Sequence, residues 1–202
     1  MARIPRVPAR QAGLNARLAF YFTRKGMKQM SGRDLDNAIE PLEVYANAPK
    51  LFKGYAALEQ ATAKPKSLPK RLQALGELKA ATLVQCEYCI DLGSQVSRTW
   101  GLTDEELLAL PTYRTSPLFD DLDRLVMDYA VGMCRTPADV PESLVADLRR
   151  HLSDLQLVEL THLIAIENHR GRFNHALGVG AAGFSEGMVC AVPALVEQAS
   201  AN

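Results

Sequence analysis

The sequence predicts an all-α protein, a helical bundle built from two pseudo-repeated halves. No segment of four to eight residues reads convincingly as a strand, whereas apolar residues recur along most of the chain at the spacing of amphipathic helices. Two segments also carry capping boxes, in which a Ser or Thr precedes a Glu or Gln by three residues and opens a helix. Together these observations favour helices throughout the chain.

The first half of the chain is predicted to contain two helices and then a long helical segment. Apolar stripes at 42–46 and 51–58 are interrupted at Pro49, which disfavours a helical conformation in the residue before it. A turn therefore separates two helices there. After a connector over 64–69, a long helical segment runs from about residue 69 to 101 and carries two closely spaced cysteines.

The second half is predicted to contain a series of helices over residues 104–110, 118–134, 144–152 and 153–173. The first of them begins with the capping box of Thr103 and Glu106, and the last begins with that of Ser153 and Gln156. A glycine-containing loop follows. The apolar tail beyond Gly187 is predicted to be a closing helix or an oligomer contact.

The bulk composition excludes several classes of protein. With 202 residues, 48% of them hydrophobic, the chain can bury a core as one large domain or two small halves. Its formal net charge is zero, so the chain as a whole has no electrostatic attraction for nucleic acid or for an acidic substrate. Four cysteines are too few for a disulfide scaffold, and no signal peptide is recognised, so we expect a cytoplasmic protein.

The chain is predicted to consist of a basic N-terminal arm (1–33), a helical domain (34–187) and a C-terminal tail (188–202). The arm contains eight Lys or Arg residues and no acidic residue, so the remaining residues carry a net charge of −8. The apolar run over 18–22 is too short to span a bilayer. We expect the arm to pack against its own subunit or a neighbouring one, with a weak membrane-surface contact as the alternative.

Cys86 and Cys89 are separated by two residues and are the strongest functional signal. A thioredoxin-type motif would require a βαβ pattern around the pair, and a structural zinc site would require a second pair of ligands at similar spacing. The sequence has neither. The pair is interpreted as a redox-active dithiol, with buried reduced thiols and a metal site as the alternatives. We predict no metal and no cofactor.

A weak internal repeat relates the dithiol segment to the last long helix. Placing Ala74 over Glu159 also places Cys86 over Gly171 and Cys89 over Asn174. Two halves of common ancestry would pack about a pseudo-twofold axis.

Several segments in order resemble the alkylhydroperoxidase / carboxymuconolactone decarboxylase family. They are residues 47–52, 86–91, 101–103, 157–160 and 172–178. The resemblance covers about residues 40–187. It implies an alkylhydroperoxidase-like all-α fold, assembly into trimers or larger homo-oligomers and, in one branch of the family, thiol peroxidase activity.

The peroxidase branch surrounds its two cysteines with a glutamate and a histidine. At those positions this chain has Ala74 and Gly93, and the nearest carboxylate is Glu77. On an unbroken helix Glu77 would face away from Cys86, so it could serve the thiols only if the helix breaks near residues 84–85. The resemblance implies that Cys89 is the cysteine that attacks the peroxide and that Cys86 is the one that then forms a disulfide with it.

Other residues offer substitutes for the missing histidine. His162 and His169 lie seven residues apart and face nearly the same way on the last long helix. The polar stretch 170–174 could bind a carboxylate, and an apolar stripe that includes Val96 and Trp100 continues from the cysteines. We therefore take Cys86, Cys89 and Glu77 as the candidate catalytic residues and the histidines as the substitute relay.

The predicted function is a CxxC-dependent thiol peroxidase or disulfide oxidoreductase. Its partners would be a small-molecule hydroperoxide, a protein or thiol electron donor and further copies of itself, with no nucleic acid. The alternatives are a carboxymuconolactone decarboxylase-type lyase, in which the cysteines would be dispensable, and a non-enzymatic interaction protein with an inert dithiol.

Overall fold

The computed structural model describes residues 2–64 and 66–193, and within these residues it contains helices and no strand, which confirms the all-α class. The α-helices are α1 (Leu14–Ser31), α2 (Glu40–Tyr45), α3 (Pro49–Thr62), α4 (Lys70–Leu83), α5 (Glu87–Thr99), α6 (Asp104–Ala109), α7 (Asp121–Cys134), α8 (Glu142–Arg149) and α9 (Asp154–Leu177). Short 3-10 helices lie at Ala9–Gln11 and Leu110–Thr112.

Helix α4 lies at the centre of the bundle and packs against α5, α7 and α9. Most of its residues are buried, and Leu75 and Leu78 are almost fully shielded from solvent. A helix that is buried on most of its faces is one that other elements surround. Burial of each of these leucines contributes about 1.5–3 kcal/mol, so α4 is the scaffold on which the functional region is built.

The helical segment expected over 69–101 is two helices rather than one. Helix α4 ends at Leu83, and Gln85 adopts the left-handed conformation with φ +52°. The chain then starts α5 with Cys86 as its N-cap. The break lies at residues 84–85, the position at which it would allow Glu77 to act on the thiols.

The two predicted capping boxes are present at the start of α6 and α9. Helix α7 begins three residues later than expected, because Asp120 caps it and forms a capping box with Asp123. Helix α9 continues past its expected end to Leu177. It stops there because Gly178 adopts φ +69°, a conformation that glycine accepts without steric cost.

The basic arm contains an 18-residue helix, α1, which lies on α3. Phe20 is buried and its ring meets that of Phe52 edge-on, with centroids 5.9 Å apart. Arg24 donates to the Leu35 carbonyl at 2.9 Å. This helix therefore packs on its own subunit through one face.

At the other end of the chain, residues 188–193 form no helix, and residues 194–202 lie outside the described residues. The closing helix predicted for the tail stays a prediction. None of the helices in the described part of the chain is long and apolar enough to cross a membrane.

Candidate active site

The dithiol is held at the first turn of α5. Cys86 is the N-cap residue, and its Sγ accepts a hydrogen bond from the Cys89 amide at 3.3 Å. The two Cα atoms are 5.2 Å apart and the sulfurs are at disulfide-bonding distance. Free amides and the helix dipole at a helix N-terminus favour a thiolate over a thiol. The local fold therefore suits these cysteines to redox chemistry.

The two sulfurs occupy different positions relative to a large cavity. Cys89 lines a cavity of about 1260 Å³, whereas Cys86, which is 1% exposed, lies behind it. A Cβ added to Gly171 on α9 would lie 3.4 Å from the Cβ of Cys86 and would overlap the Val84 side chain. The glycine thus permits α9 to approach the dithiol closely. A molecule in the cavity meets Cys89 first.

The cavity walls come mainly from α1, α3 and α5 and are largely apolar. Gly93, Val96 and Trp100 line it together with Cys89, as the stripe on α5 suggested. Residues of α1 and α3 also line it, among them Leu18 and Phe52. An apolar chamber with a few polar groups is typical of a site for an organic ligand.

Glu77 lines the same cavity as Cys89. Because the helix breaks after α4, the opposition expected for an unbroken helix does not apply, and Glu77 on α4 shares a wall with the first turn of α5. The pKa of Glu77 is raised to about 7 from its usual 4.5, chiefly by burial and in part by the charge of Glu167, and Arg170 opposes this rise. A carboxyl with this pKa can exchange a proton near neutral pH.

Arg170 on α9 binds three carboxylates in the cavity wall. It donates to Glu59 through Nε and Nη2 at 2.8 and 2.6 Å, and through Nη1 to Glu77 at 3.2 Å and Glu167 at 3.1 Å. Burial raises the pKa of Glu167. Burial acts in the same direction on Glu59, but the hydrogen bonds and charge of Arg170 outweigh it and leave that pKa below its usual value. The cluster therefore combines the permanent charge of Arg170 with two carboxyls of raised pKa, Glu77 and Glu167.

Asn174, also on α9, is the polar side chain that touches the dithiol. Its Nδ2 lies 3.6 Å from the Cys86 sulfur and 3.7 Å from the Cys89 sulfur, and the residue is 3% exposed. In the sequence, Asn174 lies in the polar stretch 170–174, and the repeat places Cys89 over Asn174 and Cys86 over Gly171. In the structure Asn174 contacts the Cys89 sulfur, and Gly171 lies against Cys86.

The two histidines considered as a substitute relay lie elsewhere on α9. His162 shares a hydrogen bond with Thr62 Oγ1 at 2.8 Å, and His169 shares one with the Tyr45 hydroxyl at 2.7 Å. Neither lines the cavity. Helix α9 does face the dithiol, but it presents Asn174 rather than a histidine.

The positions that carry glutamate and histidine in the peroxidase branch also line the cavity. They are Ala74, which has only a methyl group, and Gly93, which has no side chain. Glu77 lies one turn along α4 from Ala74. In this chain the nearest carboxylate on α4 is therefore one helical turn from the glutamate position, and the histidine position holds no side chain.

Comparison with known proteins agrees with the resemblance read from the sequence. Residues 49–130 match the model of the Carboxymuconolactone decarboxylase family. Over 123 residues the chain is 36% identical to the uncharacterized protein YnjA of Escherichia coli (strain K12), an alignment that covers 60% of this chain and 64% of YnjA. The chain thus spans less than two thirds of the length of that relative.

Several solved crystal structures share the fold. One is a protein of unknown function from Agrobacterium tumefaciens, described as an AhpD antioxidant-defence candidate, with 26% identity, a TM-score of 0.60 and coverage of 68% of this chain and 94% of that one. Another is an uncharacterized peroxidase-related protein from Silicibacter sp. TM1040, with 18% identity, a TM-score of 0.68 and coverage of 88% and 90%. At 18% identity the second likeness concerns the fold alone.

Proposed function

We propose, from the match of residues 49–130 to the Carboxymuconolactone decarboxylase family model, that the chain is a CxxC-dependent thiol peroxidase or disulfide oxidoreductase that acts on organic hydroperoxides. The observation that carries the proposal is that Cys89 lines the same cavity as Glu77, a carboxyl with a pKa of about 7. A nucleophile and a proton carrier thus share one chamber.

The size of the chamber favours an organic hydroperoxide over hydrogen peroxide. Its volume of about 1260 Å³ exceeds the range of roughly 300–1,000 Å³ in which proteins bind drug-sized molecules. The apolar wall that includes Val96 and Trp100 would bind the organic part of the substrate, with the peroxide group directed at Cys89.

The first half-reaction oxidises Cys89. Glu77 accepts the proton of the Cys89 thiol, and the thiolate attacks the terminal oxygen of the hydroperoxide. A sulfur–oxygen bond forms, the oxygen–oxygen bond breaks, and the departing alkoxide takes the proton back from Glu77 and leaves as the alcohol. Cys89 remains as a sulfenic acid. Glu77 is ionised before and after the step, because the proton that it accepts from the thiol is passed on to the alkoxide.

The second half-reaction forms the disulfide. The Cys86 thiol attacks the Cys89 sulfur, the sulfur–oxygen bond breaks and water departs with the thiol proton. The Cα separation of 5.2 Å lies within the range for a disulfide, so the backbone need not move far. A protein dithiol or small thiol would return the two electrons. The proposal places the chain in the cytoplasm, a compartment that supplies such donors.

The test is peroxide-dependent disulfide formation in the reduced protein, followed by alkylation of free thiols and peptide mass spectrometry. Cumene hydroperoxide should oxidise the pair much faster than it oxidises free cysteine. Cys86→Ser should stop at a sulfenic acid on Cys89 that dimedone traps, and Cys89→Ser should lose the reaction. Cys134→Ser, at a cysteine outside the cavity, is the matched control. Oxidation of the pair no faster than free cysteine contradicts the proposal.

A decarboxylating lyase is the second enzyme class, and the charge of the cavity argues against it. Such an enzyme would need a cation free to bind an anionic lactone. Arg170 is already bound to three carboxylates, and those carboxylates would repel an anionic substrate. Lys53 also lines the cavity, but it is exposed to solvent. Lactone decarboxylation that survives Cys86→Ser and Cys89→Ser would reverse this preference.

We also propose that copies of the chain associate through the exposed apolar face of α1, three of whose residues (Leu14, Leu18 and Phe22) also line the cavity. Four large apolar side chains on this helix are exposed, namely Leu14, Leu18, Tyr21 and Phe22. The segment that contains them is basic and the remaining residues are acidic, so the arm of one copy has a complementary surface on another. An anionic membrane surface is the competing partner, and docking through this face with an inert dithiol is the non-enzymatic alternative.

A further inference from the structure

The reduced site requires a group that stabilises a thiolate, and the family position for a histidine is Gly93 in this chain. Glu77 can remove a proton from Cys89, but a carboxylate beside a thiolate repels it. A neutral donor would avoid that repulsion. Asn174 is a neutral donor that already lies within hydrogen-bonding distance of both sulfurs.

The amide of Asn174 is held in place by the packing of α9. It is 3% exposed, and Gly171, one turn earlier, allows α9 to lie against Cys86. Glu167, Arg170 and Asn174 follow one another at spacings of three and four residues and all line the cavity. A single stripe of α9 thus presents both the arginine that binds Glu77 and the amide that faces the sulfurs.

The hydrogen bond of this amide should be stronger in the reduced enzyme than in the oxidised one. A disulfide sulfur is a weak acceptor, whereas a thiolate carries a full charge, and hydrogen bonds to ionised groups are roughly twice as strong as neutral ones. An N–H donor at this position therefore stabilises the reactive form of Cys89 selectively. An asparagine amide does not ionise, so it cannot itself carry the proton.

We propose that Asn174 is a catalytic residue that stabilises the Cys89 thiolate by hydrogen bonding, a task for which Gly93 has no side chain. The proposal rests on the proposed function for its place in turnover. In this proposal Asn174 stabilises the negative charge on the sulfur, and Glu77 carries the proton.

The test is the rate at which iodoacetamide alkylates Cys89 in the reduced full-length protein, resolved by peptide mass spectrometry and measured against pH. The charged groups that line the cavity with Cys89 are Lys53, Glu59, Glu77, Glu167 and Arg170. Each profile is therefore recorded both in the wild-type background and in Glu77→Gln, in which Glu77 no longer titrates.

Asn174→Leu should lower the alkylation rate of Cys89 at pH 7 about tenfold, and should move the midpoint of the profile to higher pH. Asn174→Asp, which has nearly the same shape and adds a negative charge, should lower the rate further. Asn174→His, which restores an N–H donor, should recover part of it. The Asp variant keeps the test informative if the Leu variant does not fold.

Asn168→Ala is the matched control, because Asn168 lies on the same helix and donates to the sulfur of a different cysteine, Cys134, at 3.1 Å. It should leave the Cys89 profile unchanged. A Cys89 profile that does not move in folded Asn174→Leu or Asn174→Asp overturns the proposal.

The same experiment separates this inference from the proposed function. If the profile moves as expected while the wild type fails to react with hydroperoxides, the peroxidase proposal fails and the thiolate role of Asn174 stands. If hydroperoxides oxidise the wild type and the Asn174 variants equally fast with unmoved alkylation profiles, Asn174 has no such role.

Discussion

Arg170 on α9 donates to the Glu77 carboxylate on α4 at 3.2 Å, and this ion pair connects the two helices that meet beside the dithiol. An arginine at this distance favours the charged form of a carboxyl, yet the pKa of Glu77 is about 7. Burial outweighs the arginine, and Glu167 adds repulsion. Glu77 is thereby kept near the point at which it exchanges a proton at neutral pH.

The first prediction concerns the rate of oxidation. Glu77→Gln should slow peroxide-dependent formation of the Cys86–Cys89 disulfide by about a hundredfold at pH 7, the lower end of what general acid–base catalysis supplies. In the wild type the rate should rise as pH increases through about 7, because Glu77 accepts the thiol proton only when ionised. Stopped-flow mixing with cumene hydroperoxide measures both effects.

Glu105→Gln is the control for this substitution, since Glu105 is exposed on α6. It should leave the rate and its pH profile unchanged. A Glu77→Gln protein that oxidises at the wild-type rate, with the same rise near pH 7, would remove Glu77 from the mechanism.

The second prediction concerns stability against pH. The pKa of Glu77 is higher in the folded chain than in the unfolded chain, so between pH 4.5 and about 7 the unfolded state loses its proton first. The contribution of Glu77 to the free energy of unfolding therefore falls as pH rises, by on the order of 3 kcal/mol across this window. Urea unfolding at pH 5 and pH 8 measures the change.

Glu77→Gln should flatten this dependence, because glutamine does not titrate. Glu167, whose pKa is raised, and Glu59, whose pKa is lowered, titrate in both proteins. The difference in pH dependence between wild type and variant therefore reports the contribution of Glu77. Parallel pH dependences in the two proteins would contradict the raised pKa.

The fold was predictable from local signals because each one acts within a few residues. Pro49 begins α3, Thr103 caps α6 and Ser153 caps α9, all as their side-chain chemistry indicates. The break after Leu83 had no such signal, because it depends on Gln85 in the left-handed conformation rather than on a glycine or proline. At the break Val84 packs closely against Gly171 of α9, a contact between residues distant in sequence that no local pattern indicates.

The site was predictable to the extent that its residues are close in sequence. Cys86 and Cys89 follow from their spacing, and Glu77 was the nearest carboxylate. Asn174 and Arg170 come from a helix more than eighty residues away, and only the repeat indicated which part of α9 meets the cysteines. Periodicity places a side chain on a face of its helix, but it does not say which helix lies opposite.

The third prediction tests association through α1. Tyr21→Gln with Phe22→Gln should shift sedimentation velocity profiles at about 50 μM from an oligomer toward the monomer while the circular dichroism spectrum is retained, since apolar contact at the core of an interface is lost. The matched control is Leu108→Gln, which changes another exposed apolar residue, on α6. A wild-type protein that sediments as a monomer and instead floats with anionic vesicles would favour the membrane as partner.

The fourth prediction tests the close approach of α9 to the dithiol. A Cβ at residue 171 would overlap the Val84 side chain and lie 3.4 Å from the Cys86 Cβ, so the helices would have to separate. Gly171→Ala should lower the free energy of unfolding by about 1–3 kcal/mol, the usual cost of overpacking a core. In Gly26→Ala the new methyl group meets nothing within 4 Å, and α1 should gain up to about 1 kcal/mol of helix propensity. Urea unfolding compares the two variants. Equal stability would mean that Gly171 is not required for the contact between Cys86 and α9, and the position of Asn174 against the sulfurs would then need another cause.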